Sequence, residues 1–261
     1  MSARPSEEEE SRAPHQLYGY RDGGTACSAA DWAADAKATI AAAHRAGKLP
    51  ILVGGTGLYI RTLLDGIAPI PPIDLQVRSE VRALPVETAY ALLEAEDQVA
   101  ALRLNPNDSS RIARALEVVR STGRPLDFWQ TQKEGGIGDA VDLRPLLLLP
   151  ERDWLYPRCD SRFESMLGDD GRAEGMRLLA RSLDPALPVM RAIGVPQVLG
   201  LLRGEMSWNE ALVAGQTATR QYAKRQFTWF RNQPPENWPR FTGRPDGSGA
   251  NEALALLGLQ V

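Results

Sequence analysis

LPILVGGTGLYIRTLLDG, residues Leu49 to Gly66, decides how this chain is read. Leu49–Val53 predicts a buried strand, Gly54 and Gly55 break it, and Leu58 onward carries the spacing of an amphipathic helix. A strand, a glycine turn and a helix together present backbone N–H groups to anions such as phosphate. Yet no Lys follows these glycines, as a phosphate-binding G-x-x-x-x-G-K-[ST] loop requires. The glycines have a simpler structural reading, a tight strand-to-helix turn at Gly54 and Gly55, and GGTG taken alone favours that reading over an anion contact from Thr56.

Upstream, Leu17–Tyr20 is a candidate strand, and Ser28 with Asp31 three residues on forms an N-cap pattern opening a helix that Gly47 ends. Helix, strand and helix in this order argue for an α/β sheet. Downstream, Ala68–Ile73 (APIPPI) marks a boundary, and only helical patterns follow: Asp74–Leu84, Val86–Ala95, Gln98–Leu104 and Ser109–Thr122, stopped by Gly123 and Pro125. Gly135–Asp139 reads as a loop and Arg144–Leu149 as a second buried strand. The return to strand makes the helical block an insertion. Asp153–Leu167 and Arg172–Ser182 read as helices, Pro185 and Pro188 bracket a turn, and Ser207 with Glu210 opens a long helix reaching roughly to Arg231. The expected domains are therefore an α/β core over 1–68 and 141–242, a helical insertion over 69–140, and a linker with a terminal helix (Asn251–Gly258) over 243–261.

Composition bounds the chemistry. The chain has 261 residues, 43% hydrophobic and 24% charged, in the range of ordinary globular proteins. Cys27 and Cys159 form no C-x-x-C pair, and with only His15 and His44 a histidine metal site is not expected. No apolar run approaches the ~20 residues that span a bilayer, and Glu7–Glu10 is acidic where a signal peptide would be basic. A cytoplasmic monomer is expected. The net charge of −3 does not mark a nucleic-acid binder, so cationic patches have to be sought locally.

Two patches stand out. From Gly215 to Gln233 there is no acidic residue, while Arg220, Lys224, Phe227 and Arg231 recur at i, i+4, i+7 and i+11, with Arg225 beside them. Tyr222, Gln226 and Trp229 lie on a neighbouring face. Cations interleaved with aromatic rings suit RNA, where charge meets phosphate and rings stack on unpaired bases; the alternative is a solvated basic face over an aromatic core. In Asn105–Pro125, Asp108 caps a helix with Ile112, Leu116 and Val119 as its apolar stripe. Arg111 and Arg114 stand near its N-terminus, where cations oppose the helix dipole and an anionic ligand would relieve them. The alternative there is an Arg114–Glu117 surface pair.

LPILVGGTGLYI, NPNDSSRIARALEV, MRAIGVPQ and ATRQYAKRQFTWFRNQ occur in this order, and with them the chain, from about Ala3 to Phe241, resembles the tRNA dimethylallyltransferases (tRNA isopentenyltransferases). The resemblance implies a P-loop NTPase-like parallel sheet core with a helical insertion. It also implies transfer of a dimethylallyl group from dimethylallyl diphosphate to N6 of adenosine 37 in tRNA, magnesium at the diphosphate with its ligands not in this chain, and the anticodon stem-loop as partner. It maps Thr56 and Arg78 onto the substrate channel. The tRNA contacts map onto Ser110, Arg111, Ile112, Ala113 and Arg114, then Arg191, Ala192, Ile193, Gly194, Val195 and Pro196, and finally Lys224, Arg225, Gln226, Phe227, Thr228, Trp229, Phe230 and Arg231. Family members carry Gln where this chain has Ser110.

The family also opens with a P-loop similar to GPTASGKT and a DSxQxYR segment whose Asp is the general base, and no stretch here matches either. Met1 is accordingly expected to correspond to an internal residue of an intact protein, with no catalytic residue in this chain, the core truncated at its N-terminus, and the chain as given inactive. Two alternatives remain: a non-catalytic tRNA-binding protein, and a small-molecule phosphotransferase on a P-loop-type core.

Overall fold

The computed structural model describes residues 4–258, so the ends of the expected segments, 1–3 and 259–261, lie outside the described residues. The chain divides into two compact units: Met1–Ile60 with Asp142–Val261, and Arg61–Val141. The second unit thus begins inside the helix that follows GGTG, whereas the proline boundary placed the change at residue 69.

Helix α1 (Glu7–Arg12) and helix α2 (Ala29–Arg45) each start on a capping box. In α2 the Ser28 hydroxyl accepts the Asp31 N–H at 3.1 Å and Asp31 accepts the Ser28 N–H at 2.9 Å, satisfying two orphan donors of the first turn. Gly47, at φ +65°, adopts the left-handed conformation that ends helices. Helix α3 (Gly57–Asp65) follows the glycine turn.

Leu49–Val53 is not a strand. Its backbone makes no ladder, and Leu49 and Val53 are each 73% exposed. A strand needs a neighbour to take up its N–H and C=O groups, and among the described residues none pairs with this one. Leu17–Tyr20 is likewise a chain of bends, with Leu17 at φ +64°.

The helical unit is closed by strand β1 (Gly66–Ile67), antiparallel to β2 (Glu134–Gly135) with Gly66 opposite Gly135. A Cβ on Gly66 would stand 2.2 Å from the Glu134 carbonyl oxygen, which is why glycine occupies this φ +88° position. Between the strands come α4 (Leu75–Ala83), α5 (Val86–Glu96), α6 (Gln98–Arg103), α7 (Ser109–Thr122) and α8 (Leu126–Gln130). Val81, Leu93, Ile112 and Leu116 form their shared core.

In the other unit β3 (Leu147–Leu148) runs parallel to β4 (Arg240–Phe241), so part of the expected second strand forms and its partner comes from far along the chain. Helices α9 (Arg152–Met166), α10 (Asp169–Ala180), α11 (Val195–Leu202) and α12 (Trp208–Asn232) pack around Phe163, Leu167, Val198 and Ala211. Helix α13 (Ser248–Ala255) is the last element among the described residues. The result is a helix-rich α/β protein whose strands are short.

Candidate nucleic-acid interface

Helix α12 starts on the Ser207–Glu210 capping box, whose hydrogen bonds hold the Glu210 carboxyl below its ordinary range. At Gly215 it admits Phe163 of α9: a Cβ there would overlap the ring, at 1.8 Å. The helix then docks on the GGTG turn. A Cβ on Gly55 would meet the Gln226 amide at 2.2 Å, and one on Gly57 the Trp229 ring at 2.3 Å. Thr56 Oγ1 lies 3.4 Å from the Tyr222 hydroxyl. Neither Gly54 nor Gly55 has a positive φ. Glycine at residues 55 and 57 therefore serves close approach by α12, a requirement that the turn reading alone does not state.

Tyr222, Gln226 and Trp229 thus share the face toward the turn, in keeping with their i, i+4, i+7 spacing. That spacing was the one available signal for Tyr222, whose contact with Thr56 sequence reasoning missed.

Beside that face an open hollow of about 500 Å³ is lined by Gln221, Lys224, Arg225, Thr228 and Trp229 among others. Among the described residues no carboxylate pairs with Lys224, Arg225 or Arg231; Arg225 lies over the Tyr222 ring, 5.6 Å from its centroid. Phe227 and Phe230 are half-buried, Phe227 under the Arg152 guanidinium at 5.8 Å and Phe230 edge-on to Trp229 at 4.8 Å. Arg220 departs from the sequence reading. It pairs with Asp160 of α9 at 2.5 Å and also donates to the Thr217 hydroxyl, so it is not a carboxylate-free cation. No search along α12 alone finds a partner some sixty residues away in sequence.

Arg191 ends a 3₁₀ turn (Pro188–Arg191) and is exposed, as are Ala192 and Pro196. Ile193 is half-buried, and Gly194 and Val195 face inward, Gly194 at φ +97° starting α11. Of this segment, Arg191 is the charge that a ligand would meet.

On the helical unit Ser110 and Arg111 are exposed, Ala113 and Arg114 are half-buried, and Ile112 is fully buried in the core. Ile112 thus supports this face from behind rather than contributing to it. Arg111 pairs with the capping Asp108 at 3.5 Å, which offsets its unfavourable place on the helix dipole. Arg78 and Arg114 both point to Glu117, each at 3.8 Å, and Arg82 donates to the same carboxylate at 2.7 Å. Glu117 is fully buried, so the surface-pair reading of Arg114–Glu117 is overturned: α4 covers the carboxylate.

Magnesium takes oxygen ligands, commonly one or two carboxylates beside phosphate and water. Among the described residues no three His, Cys, Asp or Glu side chains gather into such a set. The groups at the turn are the Thr56 and Tyr222 hydroxyls and the Gln226 amide. Hydroxyl and amide oxygens of this kind do not by themselves make a resident magnesium site. Among the described residues no helix is long and apolar enough to cross a membrane.

Comparison with known proteins gives the family. The model of the IPP transferase family matches residues 1–233. The tRNA dimethylallyltransferase of Novosphingobium aromaticivorans is 63% identical over 240 residues, covering 92% of this chain and 85% of that protein. The crystal structure of the tRNA isopentenylpyrophosphate transferase of Bacillus halodurans superposes with a TM-score of 0.66 at 29% identity, over 98% of this chain and 80% of that one. A eukaryotic dimethylallyltransferase acting on tRNA shares the fold, with a TM-score of 0.69 at 23% identity over 87% of this chain and 58% of its own. With its glycine turn seated on a cationic helix, this chain belongs to the IPP transferase family.

Proposed function

We propose that this chain grips the anticodon stem-loop of a tRNA for transfer of a dimethylallyl group from dimethylallyl diphosphate to N6 of adenosine 37. One observation carries the reading: Lys224 and Arg225, without carboxylate partners among the described residues, stand on the helix that docks against Thr56. The names of the relatives, tRNA dimethylallyltransferases, point the same way. In this reading Lys224, Arg225 and Arg231 meet backbone phosphates. The exposed Tyr222 ring offers a stacking surface to a base that leaves the loop stack. Arg78, Arg111 and Arg114 supply charge on the helical unit, and Arg191 on the turn before α11.

The reaction forms a bond from adenine N6 to the allylic carbon and breaks the carbon–oxygen bond to diphosphate, while N6 gives up a proton. Charge builds on the departing oxygens, so fixed donors aimed there carry much of the rate. The Thr56 hydroxyl, held near the Tyr222 hydroxyl, is one such donor at the turn. Residues 1–261 contain no match to the glycine–lysine loop or to the general-base segment that the family resemblance implies. The chain by itself is therefore expected to bind the stem-loop without turning over.

Fluorescence anisotropy with a labelled stem-loop across a salt series tests this. Wild type should bind with log K falling linearly in log salt. K224E/R225E should weaken binding by about 100-fold and flatten the slope by about two. Unchanged affinity in that variant sinks the proposal. Incubation with labelled dimethylallyl diphosphate checks turnover: transfer by this chain keeps the substrate reading and removes the expectation of inactivity. Nucleotide binding with indifference to RNA would favour the phosphotransferase.

A further inference from the structure

Glu117 is the fully buried acid of the helical unit, and three arginines meet it from two helices. Arg82 Nε donates to Oε1 at 2.7 Å. Oε2 faces Arg78 Nε and Arg114 Nη1, both at 3.8 Å, beyond hydrogen-bond reach. Both Arg78 Nε and Glu117 Oε2 are buried without a hydrogen-bond partner. Stability alone gives this arrangement a weak rationale, because apolar residues of similar volume often serve a core as well as a buried ion pair, and a buried polar atom left unpaired is costly.

The geometry makes sense for a ligand. One negative charge sits inside, three positive charges surround it, and two are in excess. The three side chains remain 42%, 64% and 41% exposed for Arg78, Arg82 and Arg114. Desolvation, with the neighbouring Arg78 and Arg82 charges, holds the Arg114 guanidinium below its ordinary basicity against the opposing pull of Glu117. Without the carboxylate these like charges would repel and splay. Arginine forks match phosphate oxygens in pairs. Alongside lies a hollow of about 270 Å³ whose walls include Arg82, Ser109 and Ser110.

We propose that Glu117 is a positioning residue for RNA, gathering Arg78, Arg82 and Arg114 into one cluster that seats a single backbone phosphate, with Arg82 a phosphate ligand in its own right. This rests on the tRNA reading above and extends it to two residues that the motifs did not single out as RNA contacts.

The test turns on a sign. E117Q removes a negative charge, so a purely electrostatic role predicts tighter RNA binding. A positioning role predicts weaker binding, by about tenfold, with a salt slope lower by about one. In the full chain, E117Q/R78Q/R82Q/R114Q should bind the stem-loop no more weakly than R78Q/R82Q/R114Q, because Glu117 acts through those arginines. A merely structural role would add a further loss. R82Q, at the most exposed of the three, keeps the test open if E117Q fails to fold: it takes the donor from Glu117 Oε1 and lowers the melting temperature, and binding measured below that transition should weaken severalfold with a salt slope lower by about one. Equal or tighter binding by folded E117Q, or wild-type affinity in R82Q, overturns the proposal. Wild type that fails to bind the stem-loop in a salt-dependent way overturns the tRNA reading and this inference with it, whereas salt-dependent wild-type binding with an unaffected E117Q removes this inference alone.

Discussion

The two cationic surfaces solve opposite problems. On α7 and α4 the arginines converge on a buried carboxylate, which fixes where their charge sits and cancels part of it. On α12, Lys224, Arg225 and Arg231 meet no carboxylate among the described residues, so their charge is undiminished but held by long flexible side chains. Arg220, on the same helix, has the partner that those three lack. A cation's neighbours, more than its presence in a motif, decide whether it offers placement or field strength.

The strongest way to break the contrast is to break the scaffold behind α12. In G57A the new methyl meets the Trp229 ring, and overpacking of this kind costs roughly 1–3 kcal/mol. A lowered melting temperature, with weaker stem-loop binding, is the expected outcome; a variant as stable as wild type would mean that the docking of α12 on the turn is looser than described. A subtler change gives α12 the partner that it lacks. Gln221 lies one turn before Lys224 and Arg225, so Q221E should pair them at i+3 and i+4 and weaken binding about tenfold while leaving the fold intact.

Smaller effects sharpen the comparison. R220Q removes a half-exposed pair with Asp160, worth at most about 1 kcal/mol, and should leave the salt slope of RNA binding where it was; a slope change would return Arg220 to the RNA face. Smallest is the Arg21–Asp35 pair, remote in sequence from both surfaces. Hydrogen bonds from Tyr20 and Arg21 hold the Asp35 carboxyl below the usual range. A depressed folded-state value means that its stabilisation is present above the unfolded carboxylate value and is lost as pH falls through the folded one. D35N should therefore lower the melting temperature at neutral pH and converge with wild type in acid, as thermal melts along a pH series would read.

Local chemistry was legible from the residues themselves. The Ser28–Asp31 and Ser207–Glu210 boxes, the Ser109–Thr122 helix and the Gly47 and Gly123 stops depend on hydrogen bonds and dihedral angles within a few residues, which the sequence states directly. The four motifs that carry the family resemblance were equally visible, and so were the Lys224–Arg231 and Ser110–Arg114 faces as candidates.

Tertiary structure alone decided the rest, because each remaining question concerns a partner distant in the chain. Leu49–Val53 has a strand's composition but no paired neighbour among the described residues, and Leu147–Leu148 became a strand through Arg240–Phe241. Gly55 and Gly57 were needed for a helix arriving some 170 residues later. Glu117 was buried under α4, and Arg220 was claimed by Asp160. Backbone conformation is set by neighbours in sequence, but pairing, burial and the fate of a charge are set by neighbours in space.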